Sequence, residues 1–324
     1  MEVIPKFSGG LRLFYNENLF LPSEYYRQVM EAITESDIRF YPTPWADRLI
    51  QALSIYLNID KGAIFPGAGA DDILRILMLR SKCIGIIEPT YSLYEHLARS
   101  LGKEVKVLIY KELKENARRL EGCDIIIINS PNNPTGHIYA EDLVDILSSY
   151  GTLVIDEAYI EFSDGKGHLK RALEGGVIVV RTFSKAWGLA GLRVGYAIAS
   201  PDYVEGLKEY TLPFQISSTS EAIAIKALQL KGIVDASIEA MKSVRDWFEM
   251  ELEALGLLYM KSKANFTLIA HPLAKRIWEE LRAKGIETRL IQRPGLESGV
   301  RITIAPKDIM INVLEVIKCV MKRY

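Results

Sequence analysis

Two stretches of the chain, Ile125-Ile126-Ile127-Ile128 and Val177-Ile178-Val179-Val180, are apolar at every position. Successive side chains of a strand point to opposite faces, so a strand without alternation must be covered on both sides. A sheet between two helix layers meets that condition, and it makes these runs central strands. Around them β-rich runs alternate with helical patterns: helix 45–57, strand 62–66, helix 71–80, strand 84–87, helix 93–101, strands 105–109 and 125–129, helix 140–149 and strand 152–156. This alternation predicts an α/β fold whose large domain is a mostly parallel sheet between helix layers. In the first of these helices Trp45, Leu49, Leu53, Tyr56 and Leu57 recur at three- and four-residue steps, a core-facing stripe.

Beyond Pro201 the pattern changes. Helical stretches 218–231 and 235–255 lead into strand-like segments 265–270, 286–291 and 300–304, with helices at 272–284 and 307–322, which predicts a smaller α+β domain. Ile238, Met241, Val244, Phe248, Leu252 and Leu255 form one stripe that stops at Gly256. The expected division is a large domain over 29–235 and a small C-terminal domain over 236–324. Residues 1–28 hold strand-like Leu11–Tyr15 and a helix start at Pro22-Ser23. They are too few to fold alone and are expected to pack on the small domain or on a partner subunit.

Charge narrows the partners. Forty Lys+Arg against 41 Asp+Glu leave a net charge of -1 over 324 residues, so no overall field holds nucleic acid or an anionic membrane. No apolar run approaches the roughly 18 residues of a membrane span, and the opening MEVIPKFSGG lacks the basic-then-apolar form of a signal peptide. Cys83, Cys123 and Cys319 stand too far apart in sequence to suggest a metal-ligand or redox pair, which fits a reducing cytoplasm. His96, His137, His168 and His271 are equally scattered; no metal site is expected, and they read as surface or lightly packed residues.

The chemistry gathers at strand ends. Val177–Val180 runs on into Arg181-Thr182-Phe183-Ser184-Lys185, a glycine-rich turn and Arg193. A lysine directly after a core strand is costly there unless its amine is neutral or covalently bound, and one use for such a lysine is a Schiff base. Leu153-Val154-Ile155 ends in Asp156, at the edge where parallel sheets collect ligands. Asn129-Ser130-Pro131-Asn132-Asn133-Pro134-Thr135-Gly136 presents amides at that same edge. Pro66-Gly67-Ala68-Gly69-Ala70-Asp71-Asp72 leads from strand to helix, so its N–H groups suit a phosphate. It is no dinucleotide fingerprint, since the third glycine and the acid about 20 residues on are missing.

Together, Gly69-Ala70-Asp71, Pro89-Thr90-Tyr91, Asn132 to Gly136, Asp156-Glu157-Ala158-Tyr159, and Ser184-Lys185 with Arg193 resemble the pyridoxal-phosphate aminotransferases of the aspartate aminotransferase fold (fold type I). The match is collinear over nearly the whole chain. Asn16-Glu17-Asn18, Tyr41-Pro42, Asp156 to Phe162 and Ala190 to Arg193 are most similar to the histidinol-phosphate aminotransferase family. The resemblance implies a seven-stranded large-domain sheet, pyridoxal 5'-phosphate as cofactor, and a small-molecule amino donor with a 2-oxo acid as substrates. It also implies a homodimer with shared active sites.

By the same resemblance, Lys185 would hold the cofactor and shuttle a proton, and Asp156 would keep its pyridine nitrogen protonated. Asn133 and Tyr159 would donate to the ring's O3′ oxygen, and Tyr91 would stack on the ring. Gly69, Ala70 and Asp71 N–H groups, Thr182, Ser184 and Arg193 would hold the phosphate, with Tyr41 reaching it from the second subunit. Arg301 and Arg289 would grip a substrate phosphate, with Arg301 also taking the carboxylate of glutamate; Asn16 and Asn265 would line the site. Leu19, where the family usually has proline, and Asp72, where it has glutamate, depart from the pattern. Three other readings stay open. Threonine-phosphate decarboxylases are similar in Pro294-Gly295-Leu296-Glu297-Ser298, and in an aspartate or aromatic aminotransferase Arg301 would serve amino-acid carboxylates only. The third is a non-catalytic ligand-binding protein, against which Lys185 stands.

Overall fold

Ile125 and Ile127 pack into one hydrophobic cluster while Ile126 and Ile128 pack into another, so the isoleucine run is covered on both faces. The structure is a computed structural model describing residues 9–35, 37–165 and 167–323; the first eight residues of the N-terminal segment lie outside them. The described chain begins with β1 (Leu11–Arg12), α1 (Ser23–Glu31) and α2 (Asp47–Leu57). There follow β2 (Ile64–Gly67), α3 (Ala70–Arg80), β3 (Cys83–Glu88), α4 (Leu93–Ser100), β4 (Glu104–Ile109) and α5 (Leu113–Asn116). Next come β5 (Ile125–Asn129), α6 (Glu141–Ser148), β6 (Thr152–Asp156), α7 (Leu169–Leu173), β7 (Val177–Thr182), β8 (Gly195–Ile198) and α8 (Pro201–Leu207).

Strands β2 to β8 form one seven-stranded sheet in the order β2-β8-β7-β6-β5-β3-β4. Only β8 runs against its neighbours; the β4-β3-β5-β6-β7 ladder is parallel. Ile73 and Leu77 of α3 and Ala98 of α4 cover one face, together with Val154, Ile178 and Val180. Leu143 and Leu147 of α6 and Ala172 of α7 cover the other, against Ile126, Ile155 and Val179. Each buried leucine or isoleucine contributes about 1.5–3 kcal/mol.

The remainder comprises α9 (Ser218–Gln229), α10 (Lys231–Ala254), β9 (Tyr259–Met260), β10 (Phe266–Ile269), α11 (Ala274–Ala283), β11 (Ile286–Glu287), β12 (Arg289–Arg293), β13 (Leu296–Thr303) and α12 (Lys307–Met321). A four-stranded antiparallel sheet, β12-β13-β10-β9, carries the predicted substrate arginines. The expected single strand over 286–291 is two: β11 pairs in parallel with β1, and after Thr288 the chain joins β13 in a different sheet. Helix α10 starts four residues earlier than the expected stretch 235–255 and runs unbroken through position 235.

Two expectations are corrected. Cys83 and Cys123 lie with their Sγ atoms 3.4 Å apart and both buried, because neighbouring strands β3 and β5 bring together residues 40 apart in sequence. His168 is buried on Glu157, and burial among Tyr110 and Tyr139 pushes the His137 imidazole down to about 4. Among the described residues, no helix is long and apolar enough to cross a membrane, and no His/Cys/Asp/Glu group is arranged to hold a metal ion.

Candidate active site

Parallel strands expose their C-terminal ends at one edge of the sheet, and three such ends meet here. Asn129 of β5 pairs in register with Asp156 of β6, and β7 ends beside them at Thr182. Asp156 is 4% exposed, and its two partners are neutral donors: the Tyr94 hydroxyl donates to Oδ2 at 2.6 Å and the Ala158 N–H to Oδ1 at 3.0 Å. Burial pushes its carboxyl up to about 6, against the lowering pull of those two hydrogen bonds. Tyr94 is fully buried on α4 and was not among the residues singled out in the sequence. Its signal was its place three residues after Tyr91, in the first turn of the helix that follows it.

A cavity of about 150 Å³ opens at this edge, lined by Asp156, Tyr159, Asn133, Tyr91, Lys185 and Asn16 on one part of its wall. Ala70, Asp71, Thr182, Ser184, Arg193 and Arg301 also line it. Lys185 donates from Nζ to the Tyr15 carbonyl at 2.8 Å, with Nζ 5.6 Å from the centre of the Tyr159 ring. Asn16, at φ 57°, donates from Nδ2 to the Tyr159 hydroxyl at 3.0 Å and accepts from Thr303 at 3.2 Å. Arg301 donates to the Asn133 side-chain oxygen and to the Phe14 carbonyl. Tyr91 sets its ring edge-on to Tyr94, centroids 5.6 Å apart, and burial raises its phenol well above the ordinary range.

The anion cup is built from backbone. Gly69, at φ 89°, caps α3, so the first N–H groups of that helix stay unpaired within it. Arg193, itself at φ 53°, places Nη1 3.3 Å from Ser184 Oγ and Nη2 3.4 Å from Asp71 Oδ2. A Cβ on Gly69 would stand 2.5 Å from that guanidinium. Gly195 is as constrained: a Cβ there would lie 2.7 Å from the Ala70 nitrogen and 2.8 Å from the Gly69 carbonyl carbon. Strand β8 therefore touches the turn that presents the cup.

Four predicted residues are not on the cavity wall, and Gly69, the cap of α3 just behind Ala70, is one of them. Tyr41 is 84% exposed and packs on Phe214, ring centres 5.0 Å apart. Arg289 faces Arg301 across the β12–β13 ladder, outside the wall. Asn265 is buried and donates from Nδ2 to the Asn16 carbonyl at 3.0 Å, so it braces the segment carrying Asn16.

Sequence reasoning also missed the support behind Asp156. Glu157, fully buried, accepts from Arg181 Nε at 2.9 Å and from the His168 N–H at 2.7 Å, and His168 Nδ1 lies 3.0 Å away. Burial raises the Glu157 carboxyl, but the His168 hydrogen bonds and the Arg181 charge outweigh it and hold the group below the usual range.

These residues fit a phosphorylated pyridine aldehyde. Helix N–H groups, two hydroxyls and a guanidinium suit a phosphate, a buried acid with neutral partners suits a protonated ring nitrogen, and an amine reaches the same cavity.

Comparison with known proteins agrees. Residues 9–317 match the family model for aminotransferase class I and II, and the chain belongs to that family of pyridoxal-phosphate enzymes. It is 31% identical to the histidinol-phosphate aminotransferase of Thermotoga maritima over 94% of this chain and 93% of that one. It is 32% identical to the protein of that name from Thermoanaerobacter pseudethanolicus, over 93% and 91%. The structure superposes on that of Sinorhizobium meliloti histidinol-phosphate aminotransferase in complex with pyridoxal-5'-phosphate with a TM-score of 0.86, at 26% identity, covering 96% of this chain and 91% of that one.

Proposed function

We propose that the protein, a cytoplasmic homodimer, transfers the amino group of histidinol phosphate to 2-oxoglutarate, giving imidazole acetol phosphate and glutamate. The observation that carries the reading is the meeting of the Lys185 amine, the buried Asp156 carboxyl and the Arg193 cup in one cavity. The relatives' shared name supplies the substrate.

Bound pyridoxal phosphate supplies an electron sink for the carbon that carries the amine. Lys185 would tie it covalently and would move the proton at the substrate carbon. Asp156 holds a proton on the ring nitrogen, a role favoured by burial, since a charge in a low dielectric is stabilised chiefly by a close opposite charge. Tyr159 accepts from Asn16, which leaves its own O–H free to donate, and Asn133 has its amide oxygen engaged by Arg301, which leaves its N–H₂; both would donate to the ring oxygen. Tyr91 would cover the ring face. Gly69, Ala70 and Asp71 N–H groups, Thr182, Ser184 and Arg193 would hold the phosphate.

Arg301 takes the carboxylate of glutamate. Arg289 sits directly opposite on the neighbouring strand and so on the same face, which supports a joint grip on a substrate phosphate. Ile38, Phe40, Tyr41, Leu212 and Phe214 are exposed apolar residues, and Tyr41 packs on Phe214; such exposure supports a dimer in which Tyr41 serves the partner's phosphate site. The division into 29–235 and 236–324, with an N-terminal segment that packs on the smaller part or on the partner subunit, belongs to the same proposal; the pairing of Leu11–Arg12 with β11 supports the first.

The test is turnover with added cofactor, comparing histidinol phosphate with threonine phosphate, aspartate, tyrosine and phenylalanine. Histidinol phosphate should have the highest kcat/KM. A preference for aspartate or an aromatic amino acid, or carbon dioxide release from threonine phosphate, would replace this substrate.

A further inference from the structure

The tip of the β12–β13 hairpin reaches across to the large sheet. Arg293, the last residue of β12, sets Nε 3.2 Å from Glu88 Oε2, donates from Nη2 to Glu88 Oε1, and lies 3.5 Å from Glu95. Glu88 ends β3 and is fully buried; its Oε2 also accepts the Thr90 N–H at 3.0 Å. One carboxylate thus clamps two things: the hairpin tip, and the Pro89-Thr90 turn that delivers Tyr91 to the cavity. The neighbouring Gly295, at φ 79°, seats the tip closely, since a Cβ there would lie 2.9 Å from Ile109 and 3.5 Å from Pro89. The same hairpin carries Arg301, anchored on Asn133.

We propose that the Glu88–Arg293 pair is a latch that fixes the hairpin on the Tyr91 turn, so that Arg301 faces the cavity in its binding geometry before substrate arrives. Arg293 is a positioning residue, acting through Arg301, and the inference rests on the reading of Arg301 as the carboxylate binder. A buried carboxylate is costly without a close cation, so the latch is strongly biased towards closure. Fixing the binding residues in advance removes an ordering cost from each binding event, which appears in KM rather than in the chemical step.

The test follows the two half-reactions of the cofactor-loaded enzyme separately, glutamate with the aldehyde form and 2-oxoglutarate with the amine form, in Arg293→Met, Glu88→Gln and the double variant. KM and kcat are then the half-saturation concentration and limiting rate of each half-reaction. Each should raise both KM values about tenfold while kcat changes less than about threefold. Amide hydrogen exchange of residues 289–303 in the resting enzyme should quicken by about tenfold or more. The double variant should be no worse than the worse single one, because both remove the same interaction. It also removes both charges together, and so carries the test if a single variant fails to fold. Unchanged KM and exchange, with KM raised in Arg301→Lys, overturn the latch and leave the carboxylate reading standing. An Arg301→Lys enzyme with unchanged KM overturns that reading and the functional part of this inference with it.

Discussion

Asp156→Asn should make the cofactor-free protein more stable at neutral pH while it disables turnover. The carboxyl is raised from 3.8 to about 6, chiefly by burial. The folded state therefore binds its proton more tightly than the unfolded chain does. The stability this proton confers is fully present below pH 3.8 and is lost as pH rises through 6. That difference corresponds to about 3 kcal/mol at pH 8, and to about half of that at pH 5, where the folded carboxyl is still mostly protonated. Asparagine is the same size, never ionises, and can keep its oxygen on the Ala158 N–H. The variant should thus gain on the order of 3 kcal/mol at pH 8 and clearly less at pH 5. Urea unfolding of both cofactor-free proteins, at one fixed protein concentration, reads the difference. The loaded variant should show a strongly reduced kcat, because an amide cannot hold the ring nitrogen's proton. A variant less stable than the parent at pH 8, or a gain independent of pH, would refute this reasoning.

Four further outcomes are expected. Gly195→Ala should weaken pyridoxal-phosphate binding and cost about 1–3 kcal/mol of stability, since its Cβ would press on backbone 2.7 Å away; equilibrium dialysis and urea unfolding read the two effects. Glu157→Gln should destabilise the fold by about 3–5 kcal/mol by leaving the Arg181 guanidinium without its buried partner. The lowered Glu157 carboxyl contributes stability above the ordinary carboxylate range that is lost on acidification, so by urea unfolding the gap between parent and variant should narrow as pH falls. The loaded protein should be yellow, and borohydride should bleach the colour and leave the cofactor fixed by a secondary amine to a peptide containing Lys185, as read by mass spectrometry. Tyr41→Phe and Lys185→Ala subunits, each weak alone, should regain activity when mixed, because one site in the hybrid then has both native residues.

Much of the site was legible in the sequence because parallel sheets collect function at strand ends. The apolar runs 125–128 and 177–180 identified central strands, and residues just past the C-terminal end of such strands line the edge: Asn133, Asp156 and Lys185 all do. Strand-to-helix glycines likewise announced the cup. These signals are local, since hydrophobic period, turn chemistry and the residues that leave a strand end are set by neighbours in the chain.

Only the tertiary structure decided the partners of those residues. Tyr94 reaches Asp156 across 62 positions, Arg301 reaches Asn133 across 168, and Arg293 reaches Glu88 across 205. Cys83 meets Cys123 because β3 and β5 are neighbours, and Gly195 is required by the backbone that β8 happens to touch. None of these contacts leaves a period or a spacing in the sequence. Each depends on strand order and on the path of the connections, and the burial that makes Glu157, Glu88 and Asp156 chemically distinct from any surface acid exists only once the layers have packed.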